Sequence, residues 1–161
     1  MNNDVLLKIT GEVEKPLELT FADLAAIPQD HQLTNVIGIT KKYPGDAIKM
    51  SGLLEWVGLK SIATHIGLHG SADDFHASIP LAPVLEKAIL IDRLDGQPLN
   101  IQNGGPTRFF FPDHAACHVD EIDECANVKF LDHIELTIGK GFDNRPHDDA
   151  QHEALHRKEQ Q

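Results

Sequence analysis

The stretch AILIDRLDGQPLNIQNGGPTRFFFP, residues 88–112, carries the most decisive structural pattern of the chain. Residues 88–93 predict a strand, and Asp95 with Gly96 gives a strong turn signal. The run Gly104-Gly105-Pro106 predicts a role in backbone conformation. Glycine permits positive φ and close approach, and proline fixes the entry into a strand. It lacks the GK[ST] or GxGxxG context of nucleotide binding. Residues 108–111 then predict a second strand.

On both sides of this stretch, short helices and short strands follow one another. Thr20 has the pattern of an N-cap, with Asp23 three residues later imitating a capping box, which predicts a helix over residues 21–26. Apolar residues at i, i+3, i+4 and i+7 from Met50 predict a helix that Gly58 ends. Further strands are predicted over residues 6–13, 33–40, 64–68 and 130–138, and a further helix over residues 81–87. Without regular βαβ spacing, this order favours a single mixed α+β domain.

Composition narrows the classes of function. The formal net charge is −11 and hydrophobic residues make up 41% of the chain. An ordinary globular core is therefore expected, whereas nucleic acid and anionic membrane surfaces are disfavoured as partners. No apolar run approaches the roughly 18 residues needed to span a bilayer. Because no signal peptide is visible at the start, the expected location is the cytoplasm, or the periplasm if an export signal has been removed.

Residues 113–125, DHAACHVDEIDEC, interrupt the strand pair that is predicted on either side of them. They contain both cysteines of the chain, two histidines and five acidic side chains. Thiol, imidazole and carboxylate groups are the usual metal ligands and acid–base groups of protein sites. This loop is therefore the first candidate for a chemical site, although its composition names no reaction.

Histidines elsewhere give a weaker signal. His65 and His69 share a face on either a strand or a helix, so a shared ligand role has to be considered. No carboxylate or third histidine follows them at a supporting spacing. Surface or core histidines are therefore the favoured interpretation.

Four segments, in order along the chain, resemble the molybdopterin-binding domain of the sulfite oxidase type. The first two are KITGEVEKPLELTFADLAAIP (residues 8–28) and SGLLEWVGLKSIATHIGLHGSADDFHASIPL (residues 51–81). The third is the 88–112 stretch with its DG-x-P-L and GGP-x-R motifs, and the fourth is NVKFLDHIEL (residues 127–136). The combined series of motifs makes the resemblance specific.

This resemblance implies a mixed-sheet α+β fold of the sulfite-oxidase type in residues 5–140. Residues 141–161 contain hardly any apolar side chain, and this composition predicts a polar C-terminal tail. It also implies a molybdopterin-binding, oxidoreductase-like protein, in which molybdenum held by molybdopterin performs oxygen-atom or electron transfer on a small-molecule substrate. The sequence has no heme-attachment CxxCH and no flavin or nicotinamide fingerprint. Any electron-transfer partner is therefore expected to be a separate protein.

One feature that the resemblance leads us to expect is missing. In the family, a cysteine thiolate shortly after the first helix binds the molybdenum. The corresponding segment here, QDHQLTNVIGITKKYPGD (residues 29–46), contains no cysteine, and Val36 or a neighbour stands at the expected position. The arginine-bearing motif that follows in the family is replaced by Lys41 and Lys42. Because valine cannot coordinate a metal, the fold can be inherited here without the activity.

Cys117 and Cys125 leave several interpretations open. They could form a local disulfide, which suits an exported protein better than a reducing cytoplasm. They could bind zinc with His114 or His118, although the His-x2-Cys and Cys-x7-Cys spacings match no common zinc motif. One thiolate could instead replace the missing ligand from the opposite side of the pocket, which makes Cys117, Cys125 and His118 candidate catalytic residues. The remaining interpretation is two structural thiols.

The resemblance also implies that Arg108 and Lys129 lie around the pterin and its phosphate. A guanidinium can hold phosphate through two hydrogen bonds, and an ammonium acts as a point charge. Asn127 could donate amide hydrogen bonds to a pterin edge or serve in a turn. His76, near the substrate-side loop of the family, is a further candidate. The alternative is that Arg108 caps a strand end and that Lys129 is solvated.

Two other classes of function compete with the oxidoreductase hypothesis. A non-catalytic binding module would keep the scaffold without the molybdenum cofactor, and the absent cysteine supports it directly. A structural protein stabilised by zinc or by a disulfide rests on the 113–125 loop alone.

Overall fold

The computed structural model describes residues 4–112 and 127–145. Within these two ranges the strands are β1 (Val5–Gly11), β2 (Leu17–Thr20), β3 (Gln32–Leu33), β4 (Asp46–Lys49), β5 (His65–Gly70), β6 (Phe75–Pro80), β7 (Ile89–Arg93), β8 (Arg108–Phe110) and β9 (His133–Thr137). The helices are α1 (Phe21–Ala25), α2 (Ile37–Thr40), α3 (Met50–Val57) and α4 (Leu81–Leu85), with 3-10 turns at Gln29–His31 and Ile101–Asn103. None of these helices is long and apolar enough to cross a membrane.

The strands form two sheets. The five-stranded sheet has the order β2-β1-β9-β5-β6, and the four-stranded sheet has the order β3-β4-β7-β8. Strands β1 and β9 run parallel, whereas the other neighbouring strands pair antiparallel. This combination of mixed and antiparallel sheets with short helices confirms the predicted α+β class.

Local sequence signals explain where α1 and α3 begin or end. The Thr20 hydroxyl accepts a hydrogen bond from the Asp23 N–H at 3.2 Å, and the Asp23 carboxylate accepts one from the Thr20 N–H at 2.9 Å. The predicted capping box is therefore confirmed. Helix α3 ends at Gly58, whose φ of +88° is the left-handed conformation that favours glycine, as predicted.

The strand predicted over residues 33–40 is wrong. Only its first residue belongs to a strand, β3, and α2 occupies its second half. Asn35, with φ of +53°, turns the chain out of the extended conformation. Val36 then becomes the N-cap of α2, and its N–H donates to the Gly45 carbonyl at 2.8 Å. Val36 is buried in the smaller core at this turn, whereas Ile37 and Ile39 of α2 are exposed.

One hydrophobic core joins both sheets, and a second lies on the other face of the four-stranded sheet. The larger cluster takes Leu90 from β7, whereas the smaller one takes Ile89 and Ile91 from the same strand. Successive side chains of a strand point to opposite faces, so a strand buried on both faces shows a continuous apolar run instead of alternation. This explains the run of apolar residues at the start of the 88–112 stretch.

Residues 141–145, which we call the edge segment, lie along β6 at the rim of the five-stranded sheet. The Asn144 N–H donates to the His76 carbonyl at 2.9 Å, and the Asn144 side chain accepts from the His76 N–H at 2.8 Å. The Asp143 carboxylate accepts from the Ser78 N–H at 2.9 Å. The first five residues of the predicted polar tail therefore use the hydrogen-bonding groups of a sheet edge. The boundary at residue 140 stays a prediction, and residues 146–161 lie outside the described residues.

An ion pair anchors this edge segment. Arg145 is only 6% exposed, and its guanidinium donates to the Asp143 carboxylate at 2.7 Å. Burial on its own would raise the pKa of Asp143, but hydrogen bonds from Arg145 and from the Ser78 N–H outweigh it and lower that pKa. The carboxylate is therefore held in its charged form.

Candidate functional site

Gly104 and Gly105 precede β8 and lie next to the residues of the candidate site. Gly104 adopts φ of +86°, and a Cβ on Gly105 would overlap the Leu99 carbonyl oxygen. Both positions therefore need the missing side chain, one for its backbone conformation and the other for a close approach. The backbone role predicted for this run is confirmed.

Arg108 is the first residue of β8 and lies close to Gly104. Its guanidinium carbon is 3.5 Å from the centre of the Tyr43 ring. Burial lowers the pKa of Arg108, and the neighbouring Tyr43 opposes the change. The guanidinium stays charged nonetheless, because arginine does not lose its proton in proteins. Its Nε is buried and has no hydrogen-bond partner among the described residues.

Tyr43 is held in place by the turn that follows α2. The Thr40 hydroxyl accepts from the Tyr43 N–H at 2.8 Å and donates to the Tyr43 carbonyl at 2.7 Å. The Tyr43 ring also meets the Phe110 ring edge-on, with centroids 5.9 Å apart. In the sequence, Tyr43 stands before Pro44 and Gly45, and this pattern indicates only a turn. Its stacking role becomes visible only when the turn is placed against β8.

The chain after residue 126 brings Lys129 next to Gly104 and Asn127 next to the end of β8. The Phe130 N–H donates to the Gly104 carbonyl at 2.7 Å, and the Lys129 Cβ would be 3.2 Å from a Cβ on Gly104. The Arg108 Nη1 would be 2.7 Å from that same Cβ, so Arg108 and the base of the Lys129 side chain both lie next to Gly104. The Lys129 Nζ is 5.1 Å from the centre of the Phe130 ring. The Asn127 side-chain oxygen accepts from the Phe111 N–H at 2.8 Å, which ties the returning chain to the end of β8.

His76, the fourth predicted cofactor residue, lies in the other sheet. It is on β6, where its imidazole contacts His69 and Asp74. The structure therefore brings together Arg108, Lys129 and Asn127, and places His76 in a separate histidine cluster. The roles of all four residues toward a cofactor stay predictions.

The position expected for the molybdenum ligand is filled by a buried apolar side chain. Val36 is 1% exposed and packs in the smaller core with Ala47, Ile89 and Phe110. A soft thiolate donor is what a molybdenum centre of this type requires, and valine offers none. The residues present here therefore do not fit the metal, whereas Arg108 and Lys129 do fit an anionic phosphate.

The candidate thiols and their neighbours fall outside the described residues. Cys117, Cys125, His114 and His118 all belong to the 113–126 gap. Their catalytic, zinc-binding and disulfide roles stay predictions. In the ranges that the structure does cover, no group of three or more His, Cys, Asp or Glu side chains is arranged to hold a metal ion.

Comparison with known proteins identifies the family. The family model of the oxidoreductase molybdopterin binding domain matches residues 40–140, which is more than half of the chain. The chain belongs to this family of molybdopterin-binding oxidoreductase domains, as the resemblance of its motifs predicted. The match begins after Val36, so the position of the missing cysteine precedes the matched part.

A solved structure supports the fold. The chain is similar to the sulfane dehydrogenase SoxCD from Paracoccus pantotrophus, with a TM-score of 0.61 and 21% sequence identity over 85% of this chain and 39% of that chain. The chain thus spans well under half the length of that protein. At this identity the likeness shows the fold alone, and it confirms the predicted sulfite-oxidase-type fold. A search of curated proteins gave no match.

Proposed function

We propose that this chain binds a molybdopterin-type cofactor through its phosphate, at the cationic surface formed by Arg108 and Lys129. The observation that carries the proposal is the buried Arg108 Nε, which has no acceptor in the part of the chain that the structure describes. Leaving a buried charged donor without an acceptor costs free energy, and a phosphate oxygen would supply that acceptor. Membership of the family supports the choice of ligand.

Each residue of this surface has a distinct part in holding the ligand. Arg108, fixed by stacking on Tyr43, offers planar N–H donors, and Lys129 adds a mobile positive charge. Gly104 has no side chain, and this lets the Arg108 guanidinium lie close to the backbone, since a Cβ there would be only 2.7 Å from Arg108 Nη1. Asn127 orients the chain segment that presents Lys129. Molybdenum, when bound to the pterin, would supply oxygen-atom or electron transfer, with a small molecule as substrate and a separate protein as electron partner.

A second candidate function is a binding module on the same scaffold that does not use molybdenum. The observation that favours it is Val36, buried among apolar side chains where the family places its ligand. The two functions differ in whether Cys117 or Cys125 supplies a replacement thiolate. Zinc or a disulfide at these cysteines is a lower-ranked proposal.

Metal and pterin content of the full chain would test the main proposal. The untagged protein should be purified from a host that makes molybdenum cofactor, and assayed for molybdenum, tungsten and zinc together with pterin fluorescence. We expect near-stoichiometric pterin. Protein without pterin or molybdenum would refute the proposal, and zinc alone would favour a cysteine–histidine metal site.

Charge-removing variants would locate the phosphate. We expect Arg108→Gln and Lys129→Gln each to lower the pterin content by at least about tenfold, because a hydrogen bond to a charged group contributes about 1.5–3 kcal/mol. Lys87→Gln, an exposed lysine elsewhere on the surface, is the matched control and should retain the pterin. Unchanged pterin in both site variants would contradict the assignment, provided that thermal unfolding shows both to be folded.

Separate cysteine variants would decide how the metal is held. If Cys117→Ser or Cys125→Ser alone removes molybdenum but leaves pterin, that cysteine is the replacement ligand. If both variants lose stability and keep their cofactor content, the pair is structural. If neither changes, a thiolate ligand at these positions is refuted.

A further inference from the structure

Three histidines lie side by side on the outer face of the five-stranded sheet, away from Arg108. His69 on β5 pairs in register with His76 on β6 and with His133 on β9. The ring centroids are 5.0 Å apart in both pairs. The sheet therefore brings three separate segments of the chain together into one histidine cluster. The spacing of these histidines along the sequence does not reveal it.

Two carboxylates fix the orientation of two of these imidazoles. The Nε2 of His69 is 3.1 Å from the Glu135 carboxylate, and the Nε2 of His76 is 2.8 Å from the Asp74 carboxylate. An ionised carboxylate can only accept hydrogen bonds, so each Nε2 must carry its proton. Each Nδ1 is then left as a lone pair.

These two lone pairs point at each other. The Nδ1 atoms of His69 and His76 are 2.8 Å apart. Two acceptors cannot form a hydrogen bond, so the contact is satisfied only when a cation lies between them. The surrounding charge favours a cation, because Asp74 and Glu135 contact the pair, and the Asp132 carboxylate lies beside the adjacent His133.

We propose that His69 Nδ1 and His76 Nδ1 form a binding site for a divalent transition-metal ion of the zinc, copper or nickel class. Imidazole nitrogen suits these metals, and a carboxylate on the other ring nitrogen is the usual way in which a ligating histidine is oriented. Two zinc-bound nitrogens at about 2.0–2.1 Å from the metal would be roughly 3.3 Å apart in tetrahedral geometry. The two rings therefore need to separate by only about half an ångström from their present contact.

The rest of the coordination sphere would come from water. No third His, Cys, Asp or Glu donor in residues 4–112 or 127–145 completes a ligand group. The side chains of His69 and His76 are 12% and 20% exposed, so an ion can reach them from solvent. Phe142 covers one side of the His76 ring, with centroids 4.8 Å apart, which limits its freedom to rotate away. His69 and His76 lie in the five-stranded sheet, whereas Arg108 lies in the four-stranded sheet.

Zinc titration of the full, untagged chain would test this site. Binding of Zn²⁺ should be measured by calorimetry for the native chain and for His69→Asn, His76→Asn and Asp74→Asn. Removing either ligand should weaken the site at least about tenfold, and losing the orienting carboxylate should weaken it by about 10–100-fold. His65→Asn is the matched control, because His65 lies on the same strand and bonds only to Thr64 in the structure described.

His147, His152 and His156 in the tail are present in the native chain, in every variant and in the control. Any Zn²⁺ that they bind therefore contributes equally to all of these measurements. Zinc-edge X-ray absorption should show two imidazole nitrogens at about 2.0 Å in the native chain and fewer in either ligand variant. If His76→Asn and His69→Asn bind Zn²⁺ as the native chain does, or if the native chain binds none, the proposal is overturned. Asp74→Asn provides the comparison if a histidine variant fails to fold.

Discussion

The stacking of Arg108 on Tyr43 gives a quantitative prediction about the candidate site. The guanidinium carbon is 3.5 Å from the ring centre and the cation is half-buried, so water screens the contact poorly. Cation–π pairs range from about 0.5–1 kcal/mol when exposed to about 2 kcal/mol when desolvated. We therefore expect a coupling free energy of about 1–2 kcal/mol between the two side chains.

A double-mutant cycle would measure this coupling. Tyr43→Leu, Arg108→Met and the double variant should be unfolded in urea, with the free energy of unfolding taken by linear extrapolation. The double variant should be destabilised by about 1–2 kcal/mol less than the sum of the two single variants. The coupling should persist at high salt, because a buried pair is shielded from screening by ions.

Tyr43→Phe separates the ring from the hydroxyl. The phenyl ring keeps its negative face, so this variant should retain most of the coupling. A coupling below about 0.5 kcal/mol, which is within the usual additivity error, would refute the idea that the ring holds the guanidinium. Loss of the coupling in Tyr43→Phe would instead assign it to the hydroxyl.

Three further predictions concern stability. Gly105→Ala should lower the free energy of unfolding by about 3 kcal/mol, because its Cβ would overlap a carbonyl oxygen. Gly96→Ala has no atom near the new Cβ but keeps a positive φ, so it should lower the free energy of unfolding by only about 1–2 kcal/mol. Thermal unfolding of both variants would distinguish the two effects. Thr20→Ala should lower the free energy of unfolding by about 1 kcal/mol through loss of the capping box, whereas Thr20→Ser keeps the hydroxyl and should retain most of the stability; an equal loss in both variants would argue against capping. Asp143→Asn should destabilise the chain by about 3 kcal/mol at pH 7, because the buried Arg145 would lose the carboxylate that it contacts at 2.7 Å. The folded pKa of Asp143 lies below its usual 3.8, so the native carboxylate stabilises the fold above that pH and loses this effect as the pH falls through the folded pKa. The stabilities of the native chain and of Asp143→Asn should therefore converge in acid. A difference that stays constant with pH would contradict this reasoning.

The elements with strong local signals were predictable from the sequence. The capping box at Thr20, the helix stop at Gly58 and the positive φ of Asp95 and Gly96 are properties of a few adjacent residues. The strand predicted over residues 33–40 failed because Asn35 turns the chain and α2 follows, with only Val36 buried while Ile37 and Ile39 are exposed. Strands β4 and β6 were missed because each depends on partners elsewhere in the chain.

The candidate site was predictable only in part, for the same physical reason. Arg108 and Lys129 were found through family motifs, and the structure places both next to Gly104. Tyr43 had no signal beyond a turn, since its partner comes from a strand far along the sequence. The His69–His76 contact depends on the register of two strands, which sequence spacing alone does not determine.

The edge segment also bears on how this protein behaves at high concentration. A strand at the end of a sheet offers unpaired N–H and C=O groups, which can recruit a strand from another molecule. Asn144 occupies both main-chain groups of His76, and Asp143 occupies the N–H of Ser78. By covering the rim of β6 with its own chain, the protein blocks the route by which exposed sheet edges begin to aggregate.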